Sequence, residues 1–351
     1  MNTPITSKSV SQPEDSSFNH TDWMILSRHW YPVARAVDVA DQPVQALLLD
    51  VKVVVYRTSA GLSVALDRCP HRGVPLSKGC VKANHLVCAY HGLQFDAQGA
   101  CKKIPAQPSL VPSDRFRLQS LPSVERYGLV WTCLNPDGHS AISPMPTWYD
   151  EAHQQVLPPS VDILGSAGRQ VEGFVDVAHF AFVHHEAFAD PENPVVPAYE
   201  TEATDLGVRS DYVSNVSNLP KGLQHLASPD FQWRRVYEIY PPFTARLTVH
   251  FPDGGLLNIL NCASPMTARS TRLFVPITRN FDTNGPLEDV YAFNAQVFAE
   301  DKDLVETQWP QELPLDPMAE AHFAADRTSL AYRKLLREMG LTFSRSASAM
   351  A

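Results

Sequence analysis

Runs of β-branched and aromatic residues, separated by turn-forming residues at short intervals, dominate the first part of the chain. Val51-Lys52-Val53-Val54-Val55-Tyr56 leads through Ser59-Ala60-Gly61 into Leu62 to Leu66, so the stretch from Val44 to Leu66 predicts a β-hairpin. Gly128 to Leu134 predicts another strand, closed by the turn sequence Asn135-Pro136-Asp137-Gly138. The pattern up to about residue 140 is that of a small antiparallel β-domain. Pro144, Pro146, Pro158 and Pro159 then mark a connecting region in which regular structure is discouraged.

The later part mixes two periodicities. Trp233 to Phe251 and Leu256 to Cys262 read as strands joined by Pro252-Asp253-Gly254-Gly255. Val290, Phe293, Val297, Leu304 and Val305 recur at helical spacing, and Ala324 to Met339 reads as a second helix with Gly340 at its C-terminal cap. The fold class is therefore α+β. At 351 residues the chain exceeds the usual extent of one hydrophobic core. It divides into a flexible arm over 1–22, rich in Ser, Thr and Asn, a β-domain over 23–145 and a mixed domain over 146–351.

Charge and composition remove several function classes. A net charge of -9 with no Lys/Arg run argues against nucleic acid and does not favour an acidic redox partner. No run approaches the roughly 18 apolar residues of a membrane span, and Met1 to His20 lacks the apolar core of a signal peptide, which places the protein in the cytoplasm. Six cysteines in such a chain point to metal binding or plain burial rather than to disulfides.

Cys69-Pro70-His71-Arg72-Gly73 and Cys88-Ala89-Tyr90-His91-Gly92 each place a Cys/His pair in one compact loop. Four such ligands suit either a tetrahedral zinc or a two-iron cluster with thiolates on one iron and imidazoles on the other. The glycine after each pair lets the backbone turn tightly and aim N–H groups at sulfur. These residues resemble the Rieske motif of ring-hydroxylating oxygenases and oxidative demethylases. The resemblance implies a [2Fe-2S] cluster with Cys69 and Cys88 on one iron and His71 and His91 on the other. Neutral imidazoles in place of thiolates raise the cluster potential to about -150 to +300 mV, suiting it to relay single electrons. Cys80 and Cys101 match no ligand position and read as buried hydrophobes, and Tyr90 and Trp131 read as core.

In the second half, the stretch Glu172 to His185 sets Asp176, His179 and His184 in an apolar run. Two histidines with an acid three residues ahead fit a ligand set better than isolated core histidines do. Asp301 continues the apolar stripe of its helix, whereas Glu300, Lys302 and Asp303 point elsewhere, so Asp301 needs a partner, either a metal or an arginine. Two His and one carboxylate form the facial triad of non-haem Fe(II) oxygenases. Asp176, His179 and His184 match that family's D-x-x-H-x-x-x-x-H motif, and the adjacent His185 is the competing second histidine. The segment Phe298 to Pro310 is similar to that of bacterial methylxanthine N-demethylases and, more loosely, of dicamba- and vanillate-type O-demethylases. The carry-over makes His179, His184 and Asp301 the iron ligands. Gly173 stands where many relatives have Asn.

The resemblance further implies a homotrimer in which Asp176 bridges His179 of its own chain and His91 of the next. It implies electrons from NAD(P)H through a flavin/iron–sulfur reductase or a ferredoxin, and O₂ as co-substrate. The outcome is hydroxylation of a small aromatic or heteroaromatic substrate, with demethylation where the oxidised carbon is an N- or O-methyl group and ring hydroxylation otherwise. Asn294 and Val297 share the helix face of Asp301 and are candidate substrate-pocket residues. A Rieske electron carrier with no chemistry of its own would explain only the first domain. The strand aromatics Trp233, Tyr237, Tyr240, Phe243 and Phe251 read as core or pocket lining.

Overall fold

The computed structural model describes residues 9–343, and the chain divides into two compact units between Ile142 and Ser143. In the first unit the predicted hairpin is the centre of a meander of Val44–Leu48, Val51–Thr58 and Gly61–Leu66, with Ser120–Leu121 on its edge. The first turn consists of Leu49 and Asp50 alone, both at positive φ, the conformation that matches the twist of a two-residue hairpin. A second sheet pairs Tyr31–Arg35, Leu129–Thr132 and Ser123–Arg126. A third comprises Cys80–Lys82, His85–Val87, Gln94–Phe95 and Cys101–Lys103.

The expected loose arm over 1–22 needs correction where it is described; residues 1–8 lie outside the described residues. Val10 and Phe18 are buried. The Val10 backbone is held on both sides by the Asn135 amide, at 2.8 and 3.0 Å, and the Asp50 carboxylate accepts from Ser16 Oγ, Ser17 N and Ser17 Oγ. A polar composition thus conceals a segment anchored by two apolar side chains and two side-chain staples. Helix α1, His20–Leu26, follows directly, its first turn capped by Asn19.

The second unit is built on a nine-stranded antiparallel sheet. Its main path runs Gln154–Val156, Ile277–Arg279, Leu256–Thr267, Thr244–His250, Trp233–Tyr240, Gly207–Ser214 and Glu200–Thr204, with Ser270–Phe274 and Val161–Ile163 paired beside it. The connecting region expected to lack regular structure therefore contributes one short strand, Gln154–Val156. The stretch Trp233 to Phe251 is a hairpin rather than one strand, because Pro241 and Pro242 lack the N–H groups that would continue the ladder. Trp233, Tyr237, Tyr240, Phe243 and Phe251 are all buried, as core residues.

Among the described residues four α-helices complete this unit: α2 (Ala167–Val175), α3 (Phe180–Val183), α4 (Leu287–Val305) and α5 (Arg327–Glu338). Gly340, at φ 87°, ends α5 with Leu341 N on Leu336 O and Gly340 N on Arg337 O, the paired bonds of a Schellman cap. α4 lays Leu287, Val290, Tyr291, Phe298 and Val305 on a core of Val156, Ile163, Leu273, Val275 and Ile277. Leu304, assigned to that stripe from spacing, is instead 51% exposed. α2 is tied to α5 by a buried ionic group in which Arg333 grips both oxygens of Glu172, at 2.6 and 2.8 Å, and Glu320 receives Arg169 and Arg333. A bidentate pair of this kind, supplied with further partners, offsets much of the cost of the charges it buries, although Arg333 Nη1 is left without a partner among the described residues. No helix among the described residues is long and apolar enough to cross a membrane.

Candidate metal centres

In the first unit two loops repeat one hydrogen-bond pattern. Cys69 N donates to Val74 O and Gly73 N to Cys69 O, both at 2.9 Å; Cys88 N donates to Leu93 O at 2.9 Å and Gly92 N to Cys88 O at 3.0 Å. Gly73 and Gly92 sit at φ 72° and 69°, a conformation that a residue with a Cβ adopts only under strain, so each glycine is what lets its loop close. Asp67 staples the first loop, its carboxylate accepting from Ser77 N, Ser77 Oγ and Gln45 Nε2 at 2.7, 2.6 and 2.5 Å.

The four candidate ligands sort by burial. Cys69 and Cys88 join the core cluster with Leu76, Leu86 and Phe95, whereas His71 is half-buried and His91 exposed. The two Nδ1 atoms face each other at 3.2 Å. Two nitrogens at about 2.1 Å from one ion and at right angles would lie about 3.0 Å apart. Burial pushes the Cys69 thiol up to about 11, against the opposing pull of the His71 backbone N–H at the sulfur. Sulfur donors inside and imidazole nitrogens at the surface suit a cluster held by thiolates within the core and imidazoles at the rim. Tyr90 is corrected from core to surface: it is 62% exposed, and its ring lies 3.8 Å from that of His91. Trp131 is core, Cys101 is buried, and Cys80 is only half-buried.

In the second unit the segment after α2 delivers His179 and His184 to either end of α3, and α4 delivers Asp301. His179 Nε2 and His184 Nε2 are 3.1 Å apart, and Asp301 Oδ1 lies 3.5 and 3.2 Å from them. Among the described residues these three are the group of His, Cys, Asp or Glu whose ligand atoms converge, all within 4.8 Å. The triangle fits three neighbouring positions around one ion, and a nitrogen, nitrogen, oxygen donor set suits iron. The partners of Asp301 are imidazoles rather than the alternative arginine, and although burial opposes its charge, they hold its carboxyl below the usual range. Burial likewise works against a charged His179, yet Asp176 and Asp301 carry its imidazole up to about 9. Asp176 Oδ2 lies 3.4 Å from His179 Nδ1, and Asp176 Oδ1 accepts from Ala178 N at 2.8 Å.

His185 turns away, with Nδ1 2.7 Å from Phe182 O and Nε2 3.3 Å from Glu186, so the neighbour competing with His184 is not in the triangle. Glu300, expected to point elsewhere, is corrected: its Oε2 is 2.8 Å from His184 Nδ1. Asn294 donates its amide to Val290 O on its own helix, and Val297 is half-buried. Phe293 meets Phe188, which in turn stacks on the His184 ring. At Gly173 a Cβ would meet Val305 Cγ2 at 3.5 Å, an ordinary contact, so the backbone does not demand glycine there.

Residues 29–123 match the Rieske [2Fe-2S] domain, and residues 166–342 match the Vanillate O-demethylase oxygenase C-terminal domain. The methylxanthine N1-demethylase of Pseudomonas putida is 30% identical over 90% of this chain and 89% of its own. The vanillate O-demethylase oxygenase subunit of Pseudomonas sp. strain HR199 is 26% identical over 81% of this chain and 86% of its own. The solved structure of NdmA from Pseudomonas putida CBB5 with caffeine superposes with a TM-score of 0.80 at 29% identity, covering 91% of this chain and 92% of that one.

Proposed function

Because the chain belongs to the Rieske-type non-haem iron oxygenases, as an oxygenase component with a Rieske cluster, a mononuclear iron and electrons from a partner reductase, we propose that it is an oxidative N- or O-demethylase of a small aromatic or heteroaromatic compound. The observation that carries this reading is the triangle of His179 Nε2, His184 Nε2 and Asp301 Oδ1, which an electron carrier would not need. Near full-length similarity to an N-demethylase and an O-demethylase supports the choice of a methyl carbon as the site of oxidation.

In this reading Cys69, Cys88, His71 and His91 would hold the cluster, and His179, His184 and Asp301 would hold iron. Bound iron supplies open coordination positions at which O₂ is reduced and a substrate C–H bond oxidised. Asp176 orients His179, and Phe188 and Phe293 form an apolar wall against water. Asn294 and Val297, on the face of α4 that carries Asp301, contact the substrate, the Asn294 amide oxygen accepting from a donor on it. One oxygen atom converts X–CH₃ into X–CH₂OH, where X is nitrogen or oxygen; the other leaves as water with two electrons and two protons. The hydroxymethyl group then departs as formaldehyde and restores X–H. The exposed ring of His91 and the 32% exposed side chain of Asp176 support a homotrimer in which these two residues meet across subunits.

The test supplies purified protein with a reductase, NADH and a panel of N-methylated xanthines and methoxybenzoates, and follows O₂ uptake and formaldehyde. One formaldehyde per substrate consumed supports the reading. A hydroxylated ring or a cis-diol without formaldehyde overturns it in favour of ring oxidation.

A further inference from the structure

Glu300, like Asp176, is an acidic group beside the triangle that the proposed ligand set does not use. It stands on the far side of the His184 ring from Asp301. Its Oε2 is 2.8 Å from His184 Nδ1, while the opposite ring nitrogen, Nε2, is the atom 3.2 Å from Asp301. Its other oxygen, Oε1, accepts from Gln296 Nε2 at 2.9 Å, one turn back on α4. His184 is buried, and the Glu300 side chain is only 19% exposed, so water does not readily replace this contact.

A neutral imidazole carries its proton on one nitrogen or the other, and only the deprotonated nitrogen can donate a lone pair. A carboxylate at Nδ1 is an acceptor and keeps the proton there, which leaves Nε2 free for an ion. It also fixes the ring plane. The histidine on the other side of the triangle has a counterpart in Asp176, but at 3.4 Å.

We propose that Glu300 is a positioning residue for the mononuclear centre, holding the His184 Nδ1–H so that Nε2 is presented to the metal, with Gln296 steering the carboxylate. α4 would then serve the site twice, through Asp301 directly and through Glu300 by way of a histidine 116 residues away in the chain. This rests on the reading of His179, His184 and Asp301 as metal ligands. Glu300 itself is not a ligand in it, because the imidazole stands between its carboxylate and the ion.

The test measures anaerobic binding of Fe(II), and of Co(II) as a spectroscopic probe, to full-length protein with its cluster intact. Glu300→Leu removes the acceptor at similar size, Glu300→Gln keeps an acceptor oxygen without the charge, and Asp301→Ala is the reference. The cluster's visible spectrum and the melting temperature report folding in each. Loss of such outer partners weakens metal binding about 10- to 100-fold. The expected result is that weakening in E300L with altered Co(II) ligand-field bands, recovered in part by E300Q, while the cluster spectrum is unchanged. Affinity and bands in E300L equal to wild type, with binding abolished in D301A, overturn the role of Glu300 alone. Unchanged binding in D301A overturns the ligand reading on which it rests.

Discussion

The two candidate centres are assembled over different distances. All four candidate cluster ligands lie between Cys69 and His91, on two loops closed by the same pair of backbone hydrogen bonds and the same positive-φ glycine. In the second unit, two histidines flank one short helix, and the carboxylate arrives from α4 more than a hundred residues later. Local turns suffice to aim the first set, with Asp67 clamping one loop against its exit. The second set meets only because Leu287, Val290, Tyr291, Phe298 and Val305 seat α4 on the sheet. A centre of the first kind depends on turn geometry; one of the second kind depends on the packing of a whole domain.

The sharpest way to break this comparison is to remove one ligand from each centre. Cys88→Ala should abolish the cluster's visible spectrum while the second centre keeps its metal, and Asp301→Ala should do the reverse. Iron analysis reads about one and about two irons per chain respectively, against about three in the parent. Loss of both metals in either variant would mean that the two centres are not independently built.

A smaller effect is expected at Asp176, which accepts from Ala178 N and faces His179 without belonging to the converging group. Asp176→Asn should leave both metals bound yet lower turnover about 10- to 100-fold or more, as loss of an outer carboxylate does. Metal analysis together with steady-state O₂ uptake checks this, and full turnover in the variant would deny Asp176 a part in catalysis.

The third effect is graded with pH and is read at the second centre, with the cluster already in place. In the metal-free protein, burial opposes the charge on His179, but Asp176 and Asp301 outweigh it and raise its pKa to about 9. Below that value an incoming ion must displace the proton. Apparent metal affinity should therefore rise with pH, by up to about tenfold per unit, and level off above about 9. Fe(II) or Co(II) titrations between neutral pH and that value test the slope. A flat profile would mean that His179 is already deprotonated or is not a ligand.

The sequence by itself determined the α+β class and singled out both ligand-bearing motifs and Asp301 as candidates, because each leaves a short-range signature. These are strand runs between turn residues, Cys/His pairs followed by glycine, and a carboxylate in line with an apolar helical stripe. The same stripe placed Leu304 inside and turned Glu300 away, and both assignments failed. A helical wheel gives the direction in which a residue leaves the helix; it does not say how far a side chain reaches or what stands beside it. Only the tertiary structure set the edge of the His184 ring within 2.8 Å of Glu300, brought Tyr90 to the surface beside His91, and tied Val10 and Ser17 to Asn135 and Asp50. Each of those contacts joins a residue to neighbours whose position is decided by packing, and packing is a property of the whole unit rather than of any local run of residues.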